Sequence, residues 1–374
     1  MDSRERVRRA IAFECPDRAP VMHAVLPAGW YQHGAALHEI LARYPRDLAT
    51  GAAFAAGERA GGGATFGYQA SRDLAALYPV DDDFAFVSPR SFELGTAGVA
   101  GYSRDEWGCV WERIDPGIIG QVIEHPLADW DHLASYRWPD PRAYWRFDQP
   151  SIEQAIAAGR ARGKYIVAYA GNLFEQMQWV RGYVELLLDF AEAPERATLL
   201  AQRIADYDLA TVDMWLGFDG DAVAFNDDWG TQQALMIRPE AWRAIFKPHY
   251  KQMFDRVHAA GRHVHFHTDG NTIEILPDLI ELGADVINLQ TSAMDLEATA
   301  RIGAGKFCLR TDIDRQYILT RASPAEVTEY VRRLFELFGG PRGGVIASGE
   351  INSDSSLPNV RAMYEAFERF GGAG

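Results

Sequence analysis

The sequence predicts a (β/α)8 barrel, a single α/β domain over residues 1–374 with an elaborated N-terminal part. Three observations carry this expectation. After residue 160, short apolar runs alternate with longer amphipathic segments, the pattern of parallel strands joined by crossover helices. Six such runs fill the second half, and strands still to be placed in the first half bring a closed ring of eight within reach. No Gly-x-Gly-x-x-Gly or Gly-x4-Gly-Lys-Ser/Thr loop follows any run, which argues against a doubly wound nucleotide-binding sheet and against a nucleotide cofactor.

Taken in order, the chain opens with a helix, because Ser3 stands before an apolar stripe at Val7, Ala10, Ile11 and Phe13, and Pro16 stops it. From there to about residue 150 the pattern is irregular and rich in Gly, Pro and aromatics, with Gly61 to Gly63 as a mobile loop and long loops that would decide specificity. Residues 160–374 are regular strand-helix units. The strands expected are Tyr165 to Ala170, Ala222 to Asn226, His263 to His267, Val286 to Leu289, Phe307 to Arg310 and Val345 to Ser348. Between them lie helical stretches Val184 to Trp215, Pro239 to Ala260, Ile273 to Leu282 and Pro324 to Phe338.

In a barrel enzyme the reacting groups stand at the C-terminal ends of strands. Side chains alternate along a strand, so if Val223 and Phe225 face the helices, Ala224, Asn226 and Asp228 face inward. The same parity turns His263, His265, His267 and Asp269 inward against Val264 and Phe266, and Arg310 and Asp312 inward against Phe307 and Leu309. Asn172, Gln290, Ser348 and Glu350 complete a polar ring. Such a ring is costly as mere structure, since each unpartnered buried polar group costs on the order of 1–3 kcal/mol.

Within the ring, His265, His267 and Asp269 could share a metal, closed by Glu350 or Asp228 from another strand; nitrogen and oxygen donors suit Zn, Fe(II) or Mn. A metal-free His/Asp network that binds substrate directly fits the same residues. Asp227 and Asp228 are adjacent, so one points inward and the other caps the next loop. Arg310 beside Asp312 is either a clamp for a substrate carboxylate or an internal ion pair. Tyr169, Trp179, Trp229 and Trp107 either wall an apolar pocket or belong to the core. Covalent catalysis has little support: there is no Gly-x-Ser-x-Gly, and parity places Cys308 deeper than the mouth.

The chain carries 37 Lys plus Arg against 52 Asp plus Glu, a formal net charge of -15, which disfavours nucleic acid and anionic membrane surfaces as partners. Three widely spaced cysteines, Cys15, Cys109 and Cys308, give no disulfide framework. With no signal-like opening and no long apolar run, a cytoplasmic protein is expected.

Four stretches carry a likeness that spans the chain: SRERVRRAIAFECPDRAPV at the start, DEWGCVWERID from Asp105 followed by HPLADWDHLASYRWPDP, FNDDWGTQQALMIRPEAW from Phe225, and HFHTDGNTIEILPDLIELGADVINLQ from His265. With the tail GGVIASGEINSDSSLPNVRAMYEAF, the sequence resembles the uroporphyrinogen decarboxylase superfamily, and its DEWG and DDWGTQ forms resemble the methyltransferase-like branch. True porphyrinogen decarboxylases carry an N-terminal Arg-Gln-x-Gly-Arg segment. Here the corresponding VMHAVLPAGWYQHG has no arginine. The zinc methyltransferases use His-x-Cys and a later Cys, where this chain has His267-Thr268-Asp269 and Gly349-Glu350. One ligand position is kept and both thiolates are replaced by carboxylates, which leaves a bound metal more Lewis acidic.

The resemblance implies a metal-assisted methyl (C1) transfer from a small substrate, with a corrinoid protein as acceptor and catalytic roles for Asp228, His267, Asp269 and Glu350. Metal ligands would come from His265, His267, Asp269 and Glu350, and substrate contacts from Asn172, Asn226, Trp229, Gln290, Arg310 and Asp312. Decarboxylation is the alternative, with Asp228 or Asp269 protonating a carbanion equivalent and Arg310 holding a carboxylate. A third is a non-catalytic corrinoid- or tetrapyrrole-binding barrel. A homodimer is also expected, since family members often pair.

Overall fold

A computed structural model of the protein describes residues 1–48, 77–87, 101–114, 120–340 and 342–372; the Gly61–Gly63 run lies outside the described residues. Eight parallel strands build the barrel: β1 (Val21–Val25), β2 (Phe84–Val87), β6 (Tyr165–Gly171), β7 (Ala222–Asn226), β8 (His263–Thr268), β9 (Val286–Leu289), β10 (Cys308–Arg310) and β11 (Val345–Ile351). They pair in the order β1-β11-β10-β9-β8-β7-β6-β2. A separate antiparallel sheet comprises β3 (Gly101–Arg104), β4 (Val110–Arg113) and β5 (Gln121–Glu124).

The helices are α1 (Ser3–Ala12), α2 (Pro27–Leu41), α3 (Pro141–Ala161), α4 (Leu173–Arg181), α5 (Tyr183–Glu192), α6 (Pro194–Trp215), α7 (Pro239–Ile245), α8 (Lys247–Ala259), α9 (Leu276–Leu282), α10 (Leu296–Gly303), α11 (Pro324–Phe338) and α12 (Leu357–Gly371). None is long and apolar enough to cross a membrane. Helix α1 is capped by Asp2, not Ser3: the Asp2 carboxylate accepts the Glu5 N–H, and Phe13 ends the helix in the left-handed conformation before Pro16 is reached. The stretch read as one helix from Val184 to Trp215 breaks ahead of Pro194, and that from Pro239 to Ala260 breaks ahead of Pro248, because a proline fits the first turn of a new helix but not the interior of an old one.

Strand parity holds in β7 to β11; in β6 Ile166, Ala168 and Ala170 pack outward and Tyr165 and Val167 inward, the opposite of the alternation that would turn Asn172 inward, with a register shift between Tyr169 and Gly171. Val223, Phe225, Val264, Phe266 and Leu309 pack in the large outer core against the helices. Tyr165, Val167, Ala222, Val286, Cys308 and Ile346 fill the barrel's lower interior, and Val7 and Ile11 of α1 plug its base. Rings of this kind make the barrel a packed solid below and leave only the upper end for chemistry.

The seam between β1 and β2 is closed differently from the others. The Asp83 N–H donates to the Val21 carbonyl at 3.1 Å, while the carboxylates of Asp83 and Asp82 accept the Val21 and His23 N–H groups at 2.8 and 2.9 Å. Asp83 also holds Arg6 and Arg18, each at 2.7 Å. Burial works against the Asp83 charge, but the two guanidiniums keep its carboxyl below the usual carboxylate range. Removing it takes one of three carboxylate partners from Arg6, which keeps Asp17 at 2.6 Å and Asp47 at 3.0 Å, and leaves the Val21 N–H without its acceptor, a change worth about 1–3 kcal/mol. Asp83→Ala is therefore expected to lower the melting temperature by roughly 1–4 °C, as read by circular dichroism. Because the folded-state pKa is depressed, the wild-type contribution is present at neutral pH and is lost as pH falls below about 4. The gap between the two proteins should narrow steadily as pH falls below about 4; a gap that stays constant or widens on acidification would contradict the assignment.

Candidate active site at the barrel mouth

Strand register sorts the inward residues into layers. Ala224, His265, Val286 and Cys308 face one another across β7, β8, β9 and β10. The next layer, two residues on, is Asn226, His267, Asn288 and Arg310. Two residues further, where the strands give way to loops, stand Asp228, Asp269, Gln290 and Asp312. The polarity of the barrel thus changes within one layer, about 7 Å of strand.

His267 is the centre of this end. Its Nδ1 lies 2.6 Å from the Asn288 side-chain oxygen, and the Arg310 guanidinium donates to that same oxygen. Since a guanidinium only donates, the amide orientation is fixed, and His267 Nδ1 carries a proton. Its Nε2 therefore faces Asp228 Oδ1 at 3.4 Å and Asp269 Oδ1 at 3.7 Å. Burial alone would favour the neutral imidazole, but the two carboxylates lift His267 to about 9.

The two carboxylates are placed by loops zipped together above the strands. Asp227 N–H donates to the His267 carbonyl and Gly230 N–H to the Asp269 carbonyl, each at 3.0 Å, and Asn271 N–H reaches the Thr231 carbonyl at 2.7 Å. Asp269 N–H donates to Asp228 Oδ1 at 3.0 Å. Gly230 and Gly270 touch backbone to backbone, so closely that a Cβ on Gly270 would lie 2.1 Å from the Gly230 oxygen. Gln290 accepts the Gly270 N–H at 2.8 Å and so braces the same loop.

Asp228, His267 and Asp269 offer three ligand atoms within 4.8 Å of one another. Tetrahedral ligands 2.0–2.2 Å from a metal stand about 3.3–3.6 Å apart; the 3.4 Å separation falls in that range and the 3.7 Å one just beyond it. Asp269 Oδ1 is buried without a hydrogen-bond partner among the described residues, while its Oδ2 is held by Arg315. The donor set and the orphaned oxygen fit a divalent cation such as Zn, Fe(II) or Mn.

The ligand set expected from sequence is corrected in two places. His265 lies in the layer below His267, beside Cys308, where its Nε2 contacts the Tyr165 hydroxyl at 3.3 Å; residues at i and i+2 share a face but not a depth. Glu350 is bound by Arg315 at 2.7 Å and does not join the cluster. Asp228, the other closing residue considered, takes that place. Trp229 is also not a substrate contact: it is fully buried and stacked on Phe174 at 4.1 Å, on the helix-facing side that its parity with Val223 and Phe225 dictates. Trp107 is buried in the core as well, and Trp179 packs edge-on against Trp111.

Asp227 points away from the mouth and caps α4, accepting the Phe174 and Glu175 N–H groups at 2.8 and 3.0 Å. Asn172 faces Glu175 and donates to it at 2.8 Å. Burial, with the fields of Asp228 and Asp227, pushes Glu175 up to about 8. Asn226 occupies the inward, half-buried place expected for it, level with His267. Three residues that shape this site, Arg315, Asn288 and Glu175, were not singled out from sequence. Asn288 was within reach, since it follows the inward Val286 by two; Arg315 and Glu175 come from a loop and a helical turn, where no alternation guides the eye.

Comparison with known proteins gives consistent results. The model of the uroporphyrinogen decarboxylase (URO-D) family matches residues 173–370, just over half of the chain. A uroporphyrinogen decarboxylase of Nocardia farcinica is 31% identical over 134 residues, 36% of this chain and 35% of that protein. The chain thus matches about a third of the length of that curated relative. A methyltransferase from Methanosarcina mazei superposes with a TM-score of 0.62 at 13% identity, covering 99% of both chains. That likeness is one of fold.

Proposed function

We propose, for a chain that belongs to the uroporphyrinogen decarboxylase (URO-D) family, a metal-assisted transfer of a methyl or other one-carbon group from a small substrate, centred on Asp228, His267 and Asp269. The observation that carries this reading is the trio of nitrogen and oxygen donors at coordinating separations, with Asp269 Oδ1 left free to bind. A divalent cation held there would act as a Lewis acid on the heteroatom from which the methyl group departs. The protein's own groups prepare the site. Asn288 keeps the proton on His267 Nδ1 and turns Nε2 toward the carboxylates. Arg315 ties Asp269 Oδ2 and Glu350 together, which fixes the direction of Asp269 Oδ1.

As methyl acceptor we favour a corrinoid protein, tested in its simplest form with free cobalamin. Protein purified without chelators should contain near-stoichiometric Zn, Fe or Mn, and with methylated alcohols, amines or thioethers it should convert the cob(I)alamin spectrum to that of methylcobalamin. An unchanged spectrum across the panel would sink the reading.

One observation favours a second reading, decarboxylation. The His267 cation, flanked by Asp228 and Asp269 and near Arg310, is placed to give a proton to the carbon from which CO₂ leaves. Release of CO₂ from uroporphyrinogen or from smaller carboxylic acids measures it, and silence in both assays removes it.

A further inference from the structure

The side-chain amides at the strand ends are tied down, with one exception. The Asn288 oxygen faces His267 Nδ1 and Arg310, and its NH2 donates to the Arg310 carbonyl at 2.9 Å. Asn172 donates to Glu175 and Gln290 accepts the Gly270 N–H, each at 2.8 Å. The exception is Asn226. Its carboxamide makes no hydrogen bond among the described residues, and neither of its polar atoms is closed off from water, in contrast to Asp269 Oδ1 and Arg310 Nε. Asn226 is half-buried on β7 and is the register partner of His267 on β8, about 4.8 Å away across the ladder. Asp228 leaves the same strand two residues further on. Solvent reaches this corner, since the side chain of His267 is 22% exposed and that of Asp228 37%. Asn226 thus presents one acceptor and two donors to open space beside two of the ligating side chains. The charges around it favour a neutral guest. Asp228, and Glu175, whose N–H is held by Asp227 at 3.0 Å, repel an anion, while a cation held by the trio, with Arg310 beside it, repels a second cation. Among neutral groups a hydroxyl suits an amide best, because it both gives and takes a hydrogen bond, whereas an ether oxygen only takes one.

We propose that Asn226 selects the substrate by binding a hydroxyl group close to the methyl-bearing heteroatom, so that the methyl donor is a small ether or thioether that also carries an alcohol function. The hydroxyl gives its proton to Asn226 Oδ1 or receives one from Nδ2, and the heteroatom is thereby held on the His267 side of the mouth. A site that hydrogen-bonds a substrate hydroxyl discriminates against the analogue that lacks it. This deepens the proposed function and rests on reading the barrel mouth as the methyl-donor site.

The test is ligand-observed NMR titration of the full chain with four methyl ethers of matched size. These are 2-methoxyethanol, 1-methoxypropane, 2-methoxyethylammonium and methoxyacetate, which end in a hydroxyl, a methyl, a cation and an anion. The hydroxyl probe should bind at least fivefold more tightly than each of the other three. Asn226→Leu, which keeps the approximate shape and removes both hydrogen-bonding ends, should erase the preference while the metal content stays as in the wild type; if that variant does not fold, Asn226→Ala serves the same purpose. Equal binding of the four probes, tighter binding of a charged one, no detectable binding of 2-methoxyethanol, or a preference that survives loss of the amide overturns the proposal. Metal content and methyl transfer are measured on the same preparation. A hydroxyl preference without metal or turnover would overturn the proposed function alone, and metal with turnover but no preference would overturn this inference alone.

Discussion

Replacing Gly270 with valine is expected to destroy the metal-ligating cluster and to destabilise the protein together. The position has φ +78°, a conformation costly for any residue with a Cβ and most costly for a β-branched one. That strain amounts to roughly 1–3 kcal/mol. The larger penalty is steric, because the new Cβ would fall 2.1 Å from the oxygen and 2.2 Å from the carbonyl carbon of Gly230, neither of which can rotate aside. The loops after β7 and β8 must therefore separate, and the bonds from Gly230 to Asp269 and from Asn271 to Thr231 go with them. Asp228 and Asp269 then lose their common geometry around His267. We expect the melting temperature to fall by at least several degrees and metal to be absent from the purified variant. Gly305→Val is the control: Gly305 has φ +77° but open space around its Cβ position, so it should show the backbone cost alone and keep its metal. Equal effects at the two sites would refute the steric account.

His267→Ala should do the opposite, removing activity while leaving the fold in place. The side chain is 22% exposed at the open end of the barrel, and its removal creates little dry cavity. It takes away one of three ligand atoms and the only nitrogen among them. A loss of at least about 10³ in kcat/KM corresponds to roughly 4 kcal/mol of transition-state stabilisation, with the melting temperature within about 2 °C of wild type. Asp269→Ala should behave likewise, since Arg315 keeps Glu350 as a partner. A collapse of stability in either variant, with activity per folded molecule retained, would make these residues part of the core network instead.

The in-or-out sense of β7, β8 and β10 was legible, because large apolar residues such as Phe225, Phe266 and Leu309 mark the helix-facing side and period two does the rest, whereas β6, apolar on both faces and irregular between Tyr169 and Gly171, gave no such mark. Depth was less legible. His265 and His267 look equivalent by parity, yet register sets one among Val286 and Cys308 and the other beside Asn288. Trp229 reads as a pocket wall only when its parity with Phe225 is overlooked. Helix breaks at Pro194 and Pro248 were masked by amphipathic stripes that continue across them. Arg315 escaped for a different reason: it lies five residues beyond β10 and acquires meaning only when the fold carries it to Asp269 and Glu350.

The seam at β1 and β2 has a consequence for solubility. A barrel is protected from association because a closed sheet has no edge for another chain to extend. Most joins in this ring are backbone ladders, indifferent to proton concentration, but the one between β1 and β2 depends on carboxylates that accept main-chain N–H groups. Acid that protonates Asp83 weakens this join while the main-chain bond from the Asp83 N–H to the Val21 carbonyl remains, so the margins of β1 and β2 are where acid would first loosen the ring. Precipitation on acidification would then begin as strand addition at those two margins, before the helical shell has melted.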